Sequence, residues 1–174
     1  MTLGSGVGGG LVVDGRIYHG AKAGESEIGH VRLDHSGTIL ESRCSGWAVD
    51  GKIRALEASE PQSMLCRMIA DSRGNEAKHL ATALHLGDLA AGRILQETAE
   101  DLAFGLSHAV HLFHPQAIIL GGGLAGVGEP LRAAVETSLR GFIMEVFRPG
   151  PRVLLSGFGE DAVPLGALLL ANRQ

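Results

Sequence analysis

The chain has 174 residues, of which 45% are hydrophobic, and a formal net charge of -4. These values exclude a disordered or fibrous protein and argue against a nucleic-acid-binding surface, which is normally basic. The apolar runs are far shorter than the roughly 20 residues that span a bilayer, so neither a nucleic-acid nor a membrane partner is expected. Two cysteines are too few for a disulfide framework, and the N-terminus lacks a secretory leader pattern, which predicts a reducing, cytoplasmic location.

The first part of the chain is predicted to form short strands. Residues 8–13 and 16–18 are strand-type and flank the turn dipeptide Asp14-Gly15, a pattern typical of a hairpin. A further short strand is predicted for residues 27–33 from their partial alternation of polar and apolar side chains.

The middle of the chain is predicted to be helical. From Ser45 onward Trp47, Ile53 and Leu56 can share one helix face. Pro61 suits the first turn of a second helix, and residues 72–75 form a break. Helices are then predicted over residues 78–86 and 88–114. The long helix has a capping aspartate (Asp88), a proline stop (Pro115) and an apolar stripe of Leu89, Ile94, Leu95, Leu102, Leu106, Val110 and Phe113.

The last third alternates strands and helices. Residues 117–120 form a continuous apolar run, typical of a buried parallel strand. A helix over residues 129–139, a buried strand over 153–155 and a closing helix over 162–171 follow. This alternation predicts an α/β layered fold. Because the sequence has no linker, repeat or composition shift, residues 1–174 are predicted to form a single domain.

Two glycine-rich segments are candidate phosphate or nucleotide sites. In residues 3–10, Gly4, Gly6 and Gly8 let backbone N–H groups approach an anion, and Ser5 adds a hydroxyl donor. A predicted hairpin follows, so this is neither a P-loop nor a dinucleotide fingerprint, and a tight hairpin or flexible tag is the alternative. Gly121, Gly122 and Gly123 follow a buried strand, where α/β proteins bind ligands; the alternative is a turn that needs positive φ.

Several motifs, in order, resemble the ROK family of sugar kinases and repressors (repressor, open reading frame, kinase). The resemblance covers nearly the whole chain. It rests on the segment from Leu3 to Gly15, the Glu27-Ile28-Gly29-His30 motif, Leu40-Glu41 before Ser45-Gly46, Leu86-Gly87-Asp88 with Ala91, the segment from Pro115 to Gly123, and Asp161-Ala162 through Ala167.

The resemblance implies the C-terminal lobe of an actin-like, ribonuclease-H-like ATPase fold, with a mixed sheet flanked by helices. It implies ATP-dependent phosphorylation of a hexose or amino sugar, with ATP and Mg²⁺ as cofactors. Glu27, His30 and Glu41 would hydrogen-bond the sugar hydroxyls, for which carboxylate and imidazole groups are suited. Gly4, Ser5, Gly6, Gly8 and Gly121–Gly123 would bind the nucleotide and its phosphates.

The sequence departs from the family in three ways. Neither the family's Asp-x-Gly-Gly-Thr loop nor its Gly-Asn-Asp-type motif, which carries the catalytic base, occurs here. Gly74-Asn75-Glu76 resembles the second motif but follows the sugar motif instead of preceding it. Asn75 is therefore interpreted as a helix cap. Met1 falls inside a family strand. The family's structural zinc is held by the motif histidine and three cysteines, but residues 31–40 contain no cysteine. The zinc is therefore predicted to be absent. His35 and Cys44 are the alternative ligands, but the sequence favours a solvent-facing histidine and a buried thiol at these positions.

The sequence is compatible with three functions. The first is a sugar kinase represented by its C-terminal half and inactive alone. The second is a non-catalytic sugar- or nucleotide-binding module or regulator remnant. The weakest hypothesis is a serine hydrolase, because Gly105-Leu106-Ser107-His108-Ala109 approximates a nucleophile elbow but lies within a helical pattern. His108, His111 and His114 are interpreted as a helix face rather than a metal patch. Apolar surface left without its lobe predicts a homo-oligomer.

Overall fold

The computed structural model describes residues 1–22, 24–69 and 74–172. These residues form short strands and α-helices joined by single 3₁₀ turns. The strands are β1 (Thr2–Leu3), β2 (Val7–Gly8), β3 (Val12–Val13), β4 (Arg16–Ile17), β5 (Ala117–Leu120) and β6 (Arg152–Leu155). The α-helices are α1 (Leu40–Cys44), α2 (Gly46–Ser59), α3 (Met64–Met68), α4 (Leu80–His85), α5 (Leu89–Phe113), α6 (Glu129–Phe142) and α7 (Ala162–Ala171).

A small parallel sheet packs one face against the hydrophobic core. β5 and β6 pair in register from Ala117 opposite Arg152 to Leu120 opposite Leu155. β1 joins the other side of β5, where the Leu3 N–H donates to the Gly121 carbonyl at 2.8 Å. The predicted parallel strand is therefore confirmed, but it is covered on one face only: Ile118 and Leu120 are buried, whereas Ile119 is 52% exposed.

Helix α5 is the longest element and organises the core. Asp88 caps it by accepting a hydrogen bond from the Ala91 N–H at 2.8 Å, and it ends at His114, whose φ of 43° is left-handed. The prediction of a helix over residues 88–114 is confirmed. Most of its apolar stripe is buried against α1, α4 and α6, but the terminal residues Leu89 and Phe113 are exposed.

Helix α2 starts where the sequence predicted. The Ser45 side chain accepts a hydrogen bond from the Ala48 N–H at 3.1 Å. Ile53 and Leu56 are buried, but Trp47 is 70% exposed, so the prediction that all three share the buried face is wrong for Trp47. Trp47 is the second residue of α2, within its first turn, and its side chain faces solvent.

Two other helix predictions are corrected in position. Pro61 lies in a turn rather than in a helix, and α3 begins at Met64 because Ser63 provides the cap, accepting from the Cys66 N–H at 3.1 Å. The helix predicted over residues 78–86 is α4, preceded by a 3₁₀ turn at Glu76–His79. The predicted break at residues 72–75 lies partly outside the described residues.

The glycine-rich N-terminus forms two short hairpins, where the sequence predicted one with strands over residues 8–13 and 16–18. β1 pairs with β2, and β3 pairs with β4 around Asp14 and Gly15, both with positive φ. The predicted Asp14-Gly15 turn is confirmed, while the strand predicted over residues 8–13 is interrupted after Gly8. Gly9 lies at the interruption, where a Cβ would come within 2.6 Å of the Ser26 carbonyl oxygen.

The segment from Glu27 to Leu33 is not a strand, contrary to prediction. It forms a 3₁₀ turn at Ile28–His30, in which the His30 N–H donates to the Glu27 carbonyl at 3.1 Å. Tertiary packing decides this, because Gly29 is buried against the backbone of Val7 and the chain must curl around that contact. The C-terminal elements α6, β6 and α7 all occur where predicted.

Candidate sugar- and nucleotide-binding site

The first glycine segment forms the tight turn between β1 and β2. The Gly4 N–H donates to the Gly6 carbonyl at 2.9 Å, and Ser5 is exposed at the tip. The Gly4 carbonyl in turn accepts from the Gly46 N–H at 2.7 Å, which attaches the start of α2 to the turn. A Cβ on Gly46 would lie 2.9 Å from that carbonyl oxygen, so glycine at position 46 permits this close contact.

The second glycine segment follows β5 and contacts the first strand. Gly121 is buried and bonds to Met1 and Leu3 through its backbone. Gly122 has a φ of +85°, and a Cβ there would lie 2.7 Å from the Leu3 carbonyl oxygen. The packing of β1 and the positive φ are therefore sufficient reasons for glycine at 122, whereas Gly123 is exposed and available to a ligand.

The two glycine segments line one cleft of about 520 Å³. Glu41 and the start of α7 complete its walls. The lining residues are Thr2, Gly4, Ser5, Gly6, Val7, Gly8, Glu41, Gly122, Gly123, Gly159, Ala162 and Val163. Seven of these residues are candidates from the sequence: Gly4, Ser5, Gly6, Gly8, Glu41, Gly122 and Gly123. The remaining glycine candidate, Gly121, lines a smaller neighbouring cleft of about 350 Å³.

Glu41 is held in the cleft by the first glycine segment. It is the second residue of α1, and its Oε2 accepts a hydrogen bond from the Val7 N–H at 2.8 Å. Gly6 leaves room for this carboxylate, since a Cβ there would lie 2.5 Å from Oε2. The second oxygen, Oε1, has no protein partner in the described structure and is available for a hydroxyl donor.

Glu27 and His30 lie beside this cleft but do not line it. Both side chains are exposed at the two ends of the 3₁₀ turn, which contacts β2 and α1. The buried Gly29 between them brings the turn against β2, because a Cβ at this position would lie only 2.2 Å from the Val7 carbonyl oxygen. The same β2 residue thus contacts both Gly29 and Glu41, and this connects the two parts of the predicted sugar site.

The histidine and serine signals on α5 are explained by packing. Ser107 is buried and its hydroxyl donates to the Phe104 carbonyl at 2.6 Å, and His108 packs edge-on against the Phe104 ring. A nucleophile needs an exposed hydroxyl beside a base, so the hydrolase hypothesis is wrong. His111 and His114 both contact the ring of Phe147.

The segment around Glu76 is structural. Glu76 is completely buried and pairs with Arg54 at 3.1 Å, while the Ala77 N–H donates to Asp50. Desolvation raises the pKa of Glu76, but hydrogen bonds from the backbone and from Arg54 outweigh it and lower the pKa. Asn75 precedes the 3₁₀ turn as the cap interpretation requires, but its side chain makes no capping hydrogen bond.

The cleft residues that sequence reasoning missed are Thr2, Val7, Gly159, Ala162 and Val163. Val7 lies inside the first glycine segment, but its apolar side chain gives no signal of its own. Thr2, Gly159, Ala162 and Val163 lie outside both glycine segments and, apart from the threonine hydroxyl, carry no polar side chain. Ala162 did belong to the closing-helix motif, but only the tertiary structure brings the start of α7 to the two glycine segments.

Comparison with known proteins decides the family. A model of the ROK family matches residues 1–174. The chain belongs to the ROK family. Its fold is the actin-like ATPase fold of the ROK sugar kinases, here as a mixed α/β arrangement of helices and small sheets. None of the helices in the described part of the chain combines the length and the apolar character needed to cross a bilayer.

Relatives within the ROK family include both kinases and regulators. The chain is 30% identical to a glucokinase of Thermotoga maritima, over all of this chain and 57% of that protein. It is 26% identical to the DNA-binding transcriptional dual regulator NagC of Escherichia coli, over 97% of this chain and 42% of that protein. The chain therefore spans about half the length of the curated relatives that it matches.

A solved structure with the same fold is a ROK family glucokinase from Streptomyces griseus in complex with glucose and AMPPNP. It superimposes with a TM-score of 0.90 at 29% identity, covering 99% of this chain and 59% of that one.

Proposed function

We propose that residues 1–174 form a single C-terminal ROK domain that binds a hexose or amino sugar and an adenine nucleotide, as part of an ATP-dependent sugar kinase. The observation that carries this proposal is the cleft in which both glycine segments meet Glu41. The glucose and AMPPNP complex of the Streptomyces griseus relative supports it, because that glucokinase binds both classes of ligand.

The phosphate groups would contact the turn at Gly4, Ser5 and Gly6. The Gly4 N–H already donates to the Gly6 carbonyl, so the donors proposed for the phosphate oxygens are the N–H groups of Ser5 and Gly6 and the Ser5 hydroxyl, while Gly4 permits the close approach. Gly8, Gly122 and Gly123 line the same cleft, and Gly121 supports the second glycine segment from behind. These residues would bind and orient the nucleotide.

The sugar would lie between Glu41 and the 3₁₀ turn. Glu41 Oε1, Glu27 and His30 would accept or donate hydrogen bonds to its hydroxyls. The donor set suits a polyol because it combines two carboxylates with an imidazole that can play either role.

Mg²⁺ would be held mainly by the nucleotide phosphates. Mg²⁺ typically binds one or two carboxylates plus substrate phosphates, and Glu41 is the one carboxylate among the described residues that line the cleft. When bound, the ion neutralises charge on the transferred phosphoryl group.

Phosphoryl transfer by these 174 residues alone is not expected. The sequence contains neither the Asp-x-Gly-Gly-Thr loop nor the motif that supplies the base in the family. An acceptor hydroxyl must lose its proton during transfer, and the one carboxylate among the described residues that line the cleft is Glu41, which the proposal assigns to sugar binding. ATP-dependent conversion of a hexose by the purified chain would contradict this part of the proposal.

The sharpest test of the binding site uses Gly4. A Cβ at Gly4 meets no protein atom within 4 Å, so Gly4→Ala leaves the fold intact but places a methyl group where the phosphates would lie. We expect calorimetry with AMPPNP and Mg²⁺ to give weaker binding for this variant, while Gly51→Ala, equally unobstructed but on α2, binds as the wild type does. Equal affinity of all three proteins would contradict the nucleotide site.

A binding module or regulator without kinase activity is the second candidate, and the similarity to NagC favours it. The same calorimetry distinguishes the two. Heat with glucose or N-acetylglucosamine but none with AMPPNP would indicate the regulator, whereas binding of both ligand classes would indicate the kinase.

A further inference from the structure

The loop between His30 and Glu41 lacks the donors of the zinc site that the family resemblance implies. Residues 31–40 contain no cysteine. Cys44 is buried, and its Sγ lies 3.6 Å from the Thr98 carbonyl oxygen; desolvation raises the pKa of its thiol to about 12. Cys66 is buried on α3, and His35 is exposed. Four-coordinate zinc needs four converging ligands, and the described residues contain no suitable group of even three.

A carboxylate closes this loop instead. One oxygen of Asp34, Oδ1, accepts hydrogen bonds from the Ser36 hydroxyl at 2.6 Å, the Gly37 N–H at 2.9 Å and the Thr38 N–H at 3.1 Å. Gly37 has a φ of +101°, a conformation that glycine adopts readily. The hydrogen bonds from Ser36 and Thr38 hold the pKa of Asp34 well below its ordinary value.

The backbone on either side of Asp34 is paired as a short hairpin. The Leu33 N–H donates to the Thr38 carbonyl at 2.8 Å, and the Leu40 N–H donates to the Val31 carbonyl at 2.9 Å. Arg32 and Ile39 form an antiparallel bridge between these bonds. Residues 31–40, which we term the Asp34 hairpin, are thereby closed from base to tip.

The base of the Asp34 hairpin connects the two parts of the sugar site. His30 precedes it directly, and Glu41 follows it directly as the second residue of α1. Leu40 is fully buried and contacts α5 at Gly105, where a Cβ would lie 2.8 Å from Leu40 Cδ1. Closure of the hairpin therefore determines how far His30 lies from the fixed position of Glu41.

We propose that Asp34 is a positioning residue that replaces the structural metal of the family, so that this chain orders the loop between His30 and Glu41 without zinc. Closure of the Asp34 hairpin without a metal does not depend on the proposed function. The expected effect of this closure on sugar binding does rest on the proposed function. The two parts are therefore tested with separate measurements.

The metal part is tested on the purified wild-type chain. We expect elemental analysis to find zinc far below one atom per chain, and the thermal midpoint to be unchanged by EDTA or by added Zn²⁺. Structural zinc sites contribute to folding and chelators destabilise them, so stoichiometric zinc with a lowered midpoint in EDTA would overturn the proposal.

The role of Asp34 is tested by Asp34→Ala, Asp34→Asn and His35→Ala. Hydrogen exchange at the Gly37 and Thr38 amides should accelerate in Asp34→Ala and stay near wild type in Asp34→Asn, whose amide oxygen can accept the same bonds. His35→Ala is the matched control, because it removes the adjacent candidate zinc ligand without touching the hairpin bonds. Unchanged exchange in Asp34→Ala, or accelerated exchange in His35→Ala, would overturn the proposal.

The positioning part is measured with glucose. For Asp34→Ala we expect about tenfold weaker binding, a typical effect of losing a supporting residue behind a ligand contact, with AMPPNP affinity unchanged and glucose affinity restored in Asp34→Asn. Equal loss of both ligands would show a general folding defect and overturn the positioning role. If the wild type binds neither glucose nor N-acetylglucosamine, the sugar-binding part of the proposed function fails. The exchange and metal measurements then still decide whether the Asp34 hairpin is closed without a metal.

Discussion

The carboxylate of Glu41 accepts a hydrogen bond from the backbone N–H of Val7 at 2.8 Å, joining α1 to the glycine turn across 34 positions of sequence. Glu41 thus has two roles: it anchors the turn through Oε2, and it presents Oε1 to a ligand. These roles predict different results for different substitutions.

Glu41→Ala should destabilise the fold, and Glu41→Gln should do so less. Loss of the acceptor leaves the partly buried Val7 N–H without a partner, at a cost of about 1–3 kcal/mol in unfolding free energy, whereas glutamine retains an oxygen acceptor. Urea denaturation measures both changes, with Glu145→Gln on an exposed turn as control. A stability of Glu41→Ala equal to wild type would contradict the anchoring role.

Gly29→Ala should be among the more damaging glycine substitutions. Its Cβ would lie 2.2 Å from the Val7 carbonyl oxygen, so the 3₁₀ turn must move away from β2, and we expect a loss of about 1–3 kcal/mol, as for overpacked interiors. The control is Gly51→Ala on α2, which meets no atom within 4 Å and should gain about 0.5–1 kcal/mol from the higher helix propensity of alanine. Similar stabilities for the two variants would contradict the close contact.

The cap of α5 predicts a pH dependence of stability. Desolvation raises the pKa of Asp88, but hydrogen bonds from Ala91, Leu65 and further backbone N–H groups outweigh it, so the pKa is lowered on folding. A lowered carboxyl pKa contributes stability above the unfolded value of about 4, and this contribution is lost as the pH falls further toward the folded pKa.

Asp88→Ala should therefore cost about 1 kcal/mol at pH 7, the usual effect of losing an N-cap. Denaturation of wild type and of Asp88→Asn between pH 7 and pH 2 provides the test, because asparagine keeps the acceptor but not the charge. We expect the stability difference between these two proteins to shrink below about pH 4. A difference that is constant over this range would contradict the lowered pKa.

The apolar surface of α7 predicts self-association. Leu165, Leu168 and Leu169 recur at helical spacing, and all three are exposed, Leu169 to 63%. Exposed apolar patches of this kind drive association, so light scattering should detect a dimer or larger species. Leu169→Glu should shift the mass toward the monomer, and Leu89→Glu, at an exposed leucine on α5, should not. A monomeric wild type would contradict the prediction.

Local sequence patterns predicted much of the fold for a physical reason. The starts of α2 and α5 depend on Ser45 and Asp88 bonding to backbone within a few residues, and the turn at Asp14 and Gly15 depends on positive φ in adjacent residues. Such interactions are decided by neighbours in the chain, and they occur in the structure as expected. The family, too, was recognisable from the order of short motifs.

The sequence by itself therefore determined the longer helices α2, α5, α6 and α7, the parallel strands β5 and β6, and the residue types available for a sugar and a phosphate. Only the tertiary structure decided that residues 27–33 curl into a 3₁₀ turn, that Trp47 faces solvent and that Ser107 is buried. It also decided that Glu41 bonds to Val7 and that the start of α7 closes the cleft. These outcomes depend on contacts between residues far apart in the chain, which no local pattern encodes.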